Sequence, residues 1–407
     1  MLKRIASLML KIGKVPCYVL AIAAVLGIRL IRPFFLVRIE CLLSSRIGHF
    51  VGNTELYLCE RDAGINVPIQ RHADFFFMER LISNQHMAIM LKRVLRIGPN
   101  WMLAPIFRIN RLIPGGEVHE IRQNAESIDI HNLLDKFPTH LHFTVEEEAR
   151  GDAELRLMGL PIGAKFVCLI VRDSAFLADQ LPIYDWSYHS YRDCDIQNYV
   201  LAAEALTSRG YFVIRMGAKV HAAMATSDSK VIDYATNGMR NDFMDIYLGA
   251  KCAFCITTGT GWDTVPQMFR KPIVYTNLLP LGEIITSRSV YLTISKKHVW
   301  KVSQKTLSLC EIFSHGFGHC RASIQYESKG VMLIENTPKE IRDLALEMEE
   351  RLEGIWISLP VDDTLQSRFW EVFPTNAVDS QGRRYHGEIR SRFGAMYLRN
   401  NQIWLEK

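Results

Sequence analysis

Thr257-Thr258-Gly259-Thr260-Gly261-Trp262-Asp263-Thr264-Val265-Pro266 stands between two apolar runs near the middle of the chain. Before it, Cys252-Ala253-Phe254-Cys255-Ile256 reads as a buried parallel strand; after it, Trp262 to Phe269 begins a helix and Pro272-Ile273-Val274-Tyr275 reads as the next strand. A small-residue turn from strand into helix suits an anionic ligand. Glycine lets the backbone come close, threonine hydroxyls add donors, and the first amides of a helix point at negative charge. Thr257, Thr258, Gly259, Thr260 and Gly261 are therefore candidate ligands of a diphosphate. The same residues also make an ordinary tight turn, so the surrounding pattern has to decide.

From Phe166 onward that pattern is regular. Strands are expected at Phe166 to Val171, Tyr211 to Arg215, near Val231 to Tyr234, at Cys252 to Ile256, at Pro272 to Tyr275 and late at Val331 to Ile334. Helices are expected at Ile196 to Ser208, Asp242 to Gly249, Thr264 to Phe269 and Pro338 to Glu353. Such alternation predicts a right-handed parallel α/β sheet. Ligands of open parallel sheets bind beyond the carboxyl ends of the strands, where Arg172-Asp173, Arg215-Met216-Gly217, Thr257 to Gly261 and Asn277 all fall.

Arg172 and Arg215 each follow an apolar strand directly, which sets a cationic fork at the mouth of the sheet. Two such arginines would neutralise a leaving nucleotide diphosphate without a metal. The structural alternative pairs each with a nearby carboxylate, Asp173 for Arg172 and Asp242 for Arg215. Tyr191 and Arg192 lie in the polar, aromatic loop Tyr188 to Asp193 and could read a base, ribose or phosphate. Asp193-Cys194-Asp195 has the D-x-D form of a divalent-ion site but precedes a helix, so capping is the preferred reading and no metal is assigned.

In the first part of the chain, Leu56 to Leu58, Met87 to Val94 and Trp101 to Phe107 give short elements, with a helix over Ile128 to Leu134. Ser45-Arg46-Ile47-Gly48-His49-Phe50-Val51-Gly52-Asn53-Thr54-Glu55 reads as a polar, glycine-bearing stretch opening between apolar segments. His49 is the candidate base there, since its unperturbed pKa suits proton abstraction near neutrality; Glu55, buried against Arg46, is the second candidate. Thr144-Val145-Glu146-Glu147-Glu148-Ala149 has the form of a capped, acidic helix start. No G-x-S-x-G elbow and no Walker lysine is found.

With 407 residues, 48% apolar and 22% charged, the chain can bury two ordinary cores. Its formal charge of +5 is too modest for a nucleic-acid binder and better suits phosphorylated substrates or anionic lipid. Nine cysteines, several of them in apolar runs, read as core residues of a reducing compartment. Cys252 and Cys255 form a C-x2-C pair with no second ligand pair at zinc spacing.

Basic residues gather at the N-terminus: Lys3, Arg4, Lys11 and Lys14 precede the uncharged run Val15 to Ile28, and Arg29, Arg32 and Arg38 follow it. As a helix the run would extend about 21 Å, short of the roughly 30 Å hydrocarbon core. The expected state is interfacial, with Tyr18, Leu20, Ile22, Val25 and Leu26 in the acyl region and the basic groups on anionic head groups. A signal peptide and an ordinary core helix are the alternatives.

Taken together, Ser45 to His49 with Asn53-Thr54-Glu55, Val171-Arg172-Asp173, Tyr191-Arg192-Asp193, Ile214-Arg215-Met216-Gly217, Thr257 to Pro266 and Glu335-Asn336-Thr337-Pro338 resemble a glycosyltransferase family of bacterial surface-polysaccharide biosynthesis clusters. The resemblance spans nearly all of the chain beyond about residue 40. It implies an α/β, GT-B-like fold: two Rossmann-like domains with parallel sheets facing a central cleft, donor on the C-terminal one and acceptor on the N-terminal one. The expected division is 1–40 membrane-associating segment, 41–140 acceptor-side domain, 141–161 connection, 162–355 donor-binding domain and 356–407 an extension packing back on the N-terminal domain.

The implied reaction moves a sugar from a nucleotide-sugar donor to a surface-glycan or lipid-linked saccharide acceptor, with no cofactor and no metal. It would occur in the cytoplasm at the anionic inner-membrane surface. A nucleotide-sugar epimerase on the same scaffold and a non-catalytic glycan-assembly protein are the alternative readings.

Overall fold

The computed structural model describes residues 15–121, 127–180 and 185–406, which form two compact α/β units. The first runs to Ser127 and regains His140–His142; the second comprises Ile128–Thr139 and everything from Phe143 onward.

In the first unit, α1 (Val15–Ile31) leads into β1 (Leu36–Leu42), α2 (Ile47–Asp62), β2 (His72–Met78), α3 (Gln85–Val94) and α4 (Asn100–Leu112). β1 and β2 pair in parallel from Leu36 opposite His72 to Leu42 opposite Met78. Single parallel bridges then add Ile97 beside Phe76 and Glu120 beside Ile39. The spatial order Ile97, β2, β1, Glu120 is 3-2-1-4 in chain order, the opening half of a doubly wound sheet. Arg38 and Asp74, at matched positions on the two strands, form a buried two-pronged ion pair at 2.7 and 2.6 Å.

The sequence reading differs here in three places. Residues 36–38, read as part of a membrane segment, are strand, and Arg38 serves Asp74 rather than a head group. Residues 45–55, read as an open polar stretch, are mostly the first half of α2, with Asn53, Thr54 and Glu55 buried. Leu56 to Leu58 continue that helix.

α1 docks on α4 through buried Ala21 and Val25 and through Arg29, whose guanidinium donates to Asn110 Oδ1, Ile113 O and Pro114 O. Val25 therefore lies in the protein core and not on an outer face. Leu20, Leu26, Leu30 and Phe34 are exposed, at 70%, 59%, 80% and 83%. No helix among the described residues is long and apolar enough to cross a membrane, and Lys3, Arg4, Lys11 and Lys14 lie outside the described residues.

The second unit opens with α5 (Val145–Leu157), whose Thr144 and Glu147 complete the expected capping box. It continues through β3 (Phe166–Ile170), α6 (Val200–Ser208), β4 (Phe212–Arg215), β5 (Val231–Ile232), α7 (Asp242–Lys251), β6 (Phe254–Thr257), α8 (Thr264–Met268), β7 (Ile273–Tyr275) and β8 (Tyr291–Thr293). Then follow β9 (Lys297–Trp300), β10 (Val331–Ile334), α9 (Pro338–Leu352), α10 (Pro360–Val372), β11 (Arg392–Phe393) and α11 (Ala395–Asn400).

Seven strands form one parallel sheet in the order β5-β4-β3-β6-β7-β8-β11. In chain order this is 3-2-1-4-5-6-7, and the winding reverses between β3 and β6. Buried apolar runs such as Phe166 to Ile170 and Phe254 to Ile256 make the central strands, as a sheet covered on both faces requires. β10, expected in this sheet, pairs antiparallel with β9 in a separate two-stranded sheet. Residues 360–405, expected to pack back on the N-terminal domain, supply β11 and place Leu365, Phe369, Phe393 and Trp404 in the core of the second unit. The fold class is the expected one: α/β, GT-B-like in its two Rossmann-like units.

Candidate functional site at the carboxyl edge of the second sheet

The reversal between β3 and β6 opens a crevice at their carboxyl ends, because the connections from the two strands leave toward opposite faces. Val171-Arg172-Asp173 follows β3, and Thr258 to Gly261 follows β6. The two ends are tied together: the Arg172 backbone N–H donates to Thr258 Oγ1 at 2.9 Å.

The turn after β6 is held by its own side chains. Thr257 Oγ1, fully buried, donates to Asp263 Oδ2 at 3.0 Å and accepts from Gly259 N at 3.1 Å. The amides of Thr260 and Thr264 also reach the Asp263 carboxylate. Burial pushes Asp263 up to about 7 against the opposing pull of Thr257 and Arg192. Gly259 has φ +75°, a backbone conformation that strains any other side chain, and a Cβ there would also push on Leu278 Cδ1 at 2.5 Å. The amides of Gly259 and Thr260, expected to hold a diphosphate, are thus spent within the turn. Among the side chains, Thr260 Oγ1 is buried with no hydrogen-bond partner among the described residues.

One guanidinium group meets this turn and a second lies near it. Arg192 reaches back from the loop after β3 and donates through one terminal nitrogen to Gly259 O, while its Nε is buried without a hydrogen bond among the described residues. Arg172 stands 3.6 Å through its Nε from Asp193 Oδ1. Its pKa is lowered by burial first and by the charge of Arg192 second, so two like charges are held near each other, with the half-buried Asp193 carboxylate beside Arg172. Asp193 in turn is raised, mainly by burial, against the pull of Arg172 and Lys296. The bland partner expected for Arg172, Asp173, instead caps the next segment through Ala175 N and accepts from His221 N.

Other expected ligands are committed to the protein. Arg215 is 1% exposed and pairs with Asp233 at 3.1 and 3.2 Å, not with Asp242. Gly217 has φ +157° with Val220 2.6 Å from where a Cβ would stand. Asn277 and Asn336 exchange hydrogen bonds, each backbone N–H donating to the other's Oδ1 at 2.7 and 2.6 Å. Asn277 Nδ2 completes its set on Tyr199 OH at 3.0 Å. Tyr191 is buried, its ring 5.8 Å from that of Tyr326 and its phenol raised by desolvation. Asp195 caps the following turn through Gln197 N, as the capping reading of the D-x-D run required. Gly261 is exposed beside the turn.

Sequence reading missed four residues here: Lys296, buried and donating to Asp193 O at 2.6 Å; Asp263, the centre of the turn; and the Ser174–His221 pair, Oγ to Nε2 at 3.0 Å. A histidine in the connection after β4 was a visible signal for the last. Lys296 carried none, because a lysine beside Lys297 reads as solvated surface.

In the first unit, His49 is half-buried in the first turn of α2, at the carboxyl end of β1. Glu55 sits farther along the same helix, 1% exposed, where its Oε1 accepts from His140 N at 3.2 Å and lies 3.0 Å from His140 Nδ1. Hydrogen bonds with Cys59, then Glu55 and Asp62, raise His140 to about 10. Cys252 and Cys255 are both fully buried, Cys255 within β6.

No family model matches the chain, and no curated protein matches it. Among solved structures it is similar to the glycosyl transferase family 9 protein from Veillonella parvula DSM 2008, at 11% identity and a TM-score of 0.37 over 60% of this chain and 80% of that one. It is also similar to the E. coli ADP-heptose lps heptosyltransferase II, at 12% identity and a TM-score of 0.34 over 59% and 84%.

Proposed function

We propose that the chain is a glycosyltransferase that moves a sugar from a nucleotide-sugar donor to a surface-glycan or lipid-linked saccharide acceptor. The observation that carries this reading is the pair of neighbouring cations at the point where the winding of the second sheet reverses: Arg192 donates to Gly259 O of the turn, and Arg172, whose backbone N–H is tied to Thr258, feels the charge of Arg192. Two confined cations with unsatisfied donors are stabilised by a polyanion, and a diphosphate leaving group develops its charge there during transfer. Thr258 and Thr260 add hydroxyls; Tyr191 supports the loop that presents Arg192. No metal is required for this charge balance.

His49 is the proposed acceptor base, a half-buried imidazole in the first turn after β1. Glu55 has no part in that transfer, being engaged with His140. The exposed apolar face of α1 supports residence at the anionic inner-membrane surface on the cytoplasmic side, beside a lipid-linked acceptor.

Incubating the protein with a panel of nucleotide sugars tests the reaction. Free nucleotide released only when a saccharide acceptor is added is the expected result. An isomerised donor without acceptor would make the protein an epimerase, and binding without turnover of any donor would make it an assembly factor.

A further inference from the structure

Glu55 and Cys59 stand four residues apart on α2, so their side chains share one helix face, and His140 lies over that face within the same unit. Glu55 Oε1 is 3.0 Å from His140 Nδ1 and 3.9 Å from Cys59 Sγ. The three ligating atoms all lie within 4.8 Å of one another, and among the described residues no other histidine, cysteine and carboxylate group is so gathered. Zinc ligands at about 2.0–2.3 Å in a tetrahedron stand roughly 3.3–3.8 Å apart, so small side-chain adjustments bring this trio to metal distance.

The other ring nitrogen of His140 is placed as a metal-bound imidazole needs it. Nε2 lies 2.9 Å from Asp62 Oδ2, a carboxylate one further turn along α2. Such a partner fixes the tautomer that leaves Nδ1 free to ligate and strengthens the imidazole as a donor. Glu55 and Cys59 are 1% and 0% exposed, while His140 is half-buried at the rim. A thiolate, an imidazole and one carboxylate select zinc-like ions over magnesium or calcium, which prefer all-oxygen sites.

We propose that Glu55, Cys59 and His140 bind one zinc ion, with Asp62 orienting His140. Binding displaces the Cys59 thiol proton and the proton shared between His140 Nδ1 and Glu55; both pass to solvent as the metal–sulfur and metal–nitrogen bonds form. All four residues belong to the first unit, whereas the arginines of the proposed donor site belong to the second. The ion is therefore a clamp holding residues 140–142 on α2, and the proposal stands apart from the transferase reading.

The test uses the full chain purified on a non-chelating affinity tag, loaded with equimolar Zn²⁺ or Co²⁺ and desalted. Elemental analysis is expected to give about one zinc per chain, and cobalt to give tetrahedral visible bands with a near-ultraviolet thiolate band. Cys59→Ser should abolish the thiolate band, and Asp62→Asn, at a partly exposed position, should weaken binding by about 10- to 100-fold. Circular dichroism of both variants separates metal loss from misfolding. No retained metal in the wild type, or cobalt spectra identical in the wild type and folded Cys59→Ser, would overturn the proposal in favour of a histidine bridging two carboxylates.

Discussion

Arg172 and Thr258 join the two strand ends between which the winding of the second sheet reverses, backbone N–H to Oγ1 at 2.9 Å. The bond fixes the spacing of β3 and β6 at the crevice mouth, and the Arg172 side chain leaves from that fixed point to stand 3.6 Å from Asp193.

Arg172→Ala and Arg192→Ala are each expected to weaken nucleoside diphosphate binding by about 10- to 100-fold, the loss of roughly 1.5–3 kcal/mol for a hydrogen bond to a charged group. Arg192→Lys keeps the charge but not the planar fork and should fall between the wild type and Arg192→Ala. Isothermal calorimetry measures this directly. Affinities unchanged in all three folded variants would remove the arginines from donor binding.

Arg215 is expected to act on stability instead. Arg215→Met leaves Asp233 in a largely buried setting without its cation, and breaking such a pair costs about 3–5 kcal/mol. Chemical denaturation should show that loss, with nucleotide affinity of the folded protein near wild type. Weaker binding at unchanged stability would instead return Arg215 to the ligand, as its strand-end position predicts from sequence.

Asp263 makes stability depend on pH. Its folded pKa lies near 7, above the ~4 of an unfolded aspartate, so the folded state binds the proton more tightly. The contribution is full below about pH 4 and is lost as pH rises through about 7. Melting temperature followed over that range should decline more steeply in the wild type than in Asp263→Asn, which cannot titrate. Parallel curves would show that Asp263 does not carry the effect.

Leu26→Glu and Leu30→Glu on the exposed face of α1 are expected to cut sedimentation with anionic vesicles by tenfold or more, since each leucine offers about 1.5–3 kcal/mol of apolar burial. Val25→Glu is different: Val25 is buried against the first unit, so the expected loss is in folding. Vesicle binding that survives both leucine changes would place the attachment elsewhere.

The strands of the second sheet from β3 to β7 are legible in sequence because strands covered on both faces are continuous apolar runs, and the Thr257 turn is legible from its glycines and threonines. β1 is not. Arg38 and Glu40 give it a surface look, and what permits the burial of Arg38 includes Asp74, distant in sequence and adjacent in space. Asn53, Thr54 and Glu55 mislead for the same reason: their helix face is polar because its partners, Ser127 and His140 among them, arrive from far along the chain. β10 was visible as a strand, but its antiparallel pairing with β9 depends on a neighbour that no local pattern names. At the site, the position of each arginine along its strand could be read; which carboxylate it stands beside could not, since Arg172 lies by Asp193 rather than Asp173 and Arg215 by Asp233 rather than Asp242.

The turn after β6 takes its shape from Thr257 and Asp263 without waiting for a guest. A ligand arriving there would meet a finished surface, so the ordering entropy has already been spent in folding and no slow rearrangement of this turn need follow encounter. The amides of Gly259 and Thr260, held by side chains of their own turn, should then exchange with solvent as slowly in the free protein as in the nucleotide-bound one.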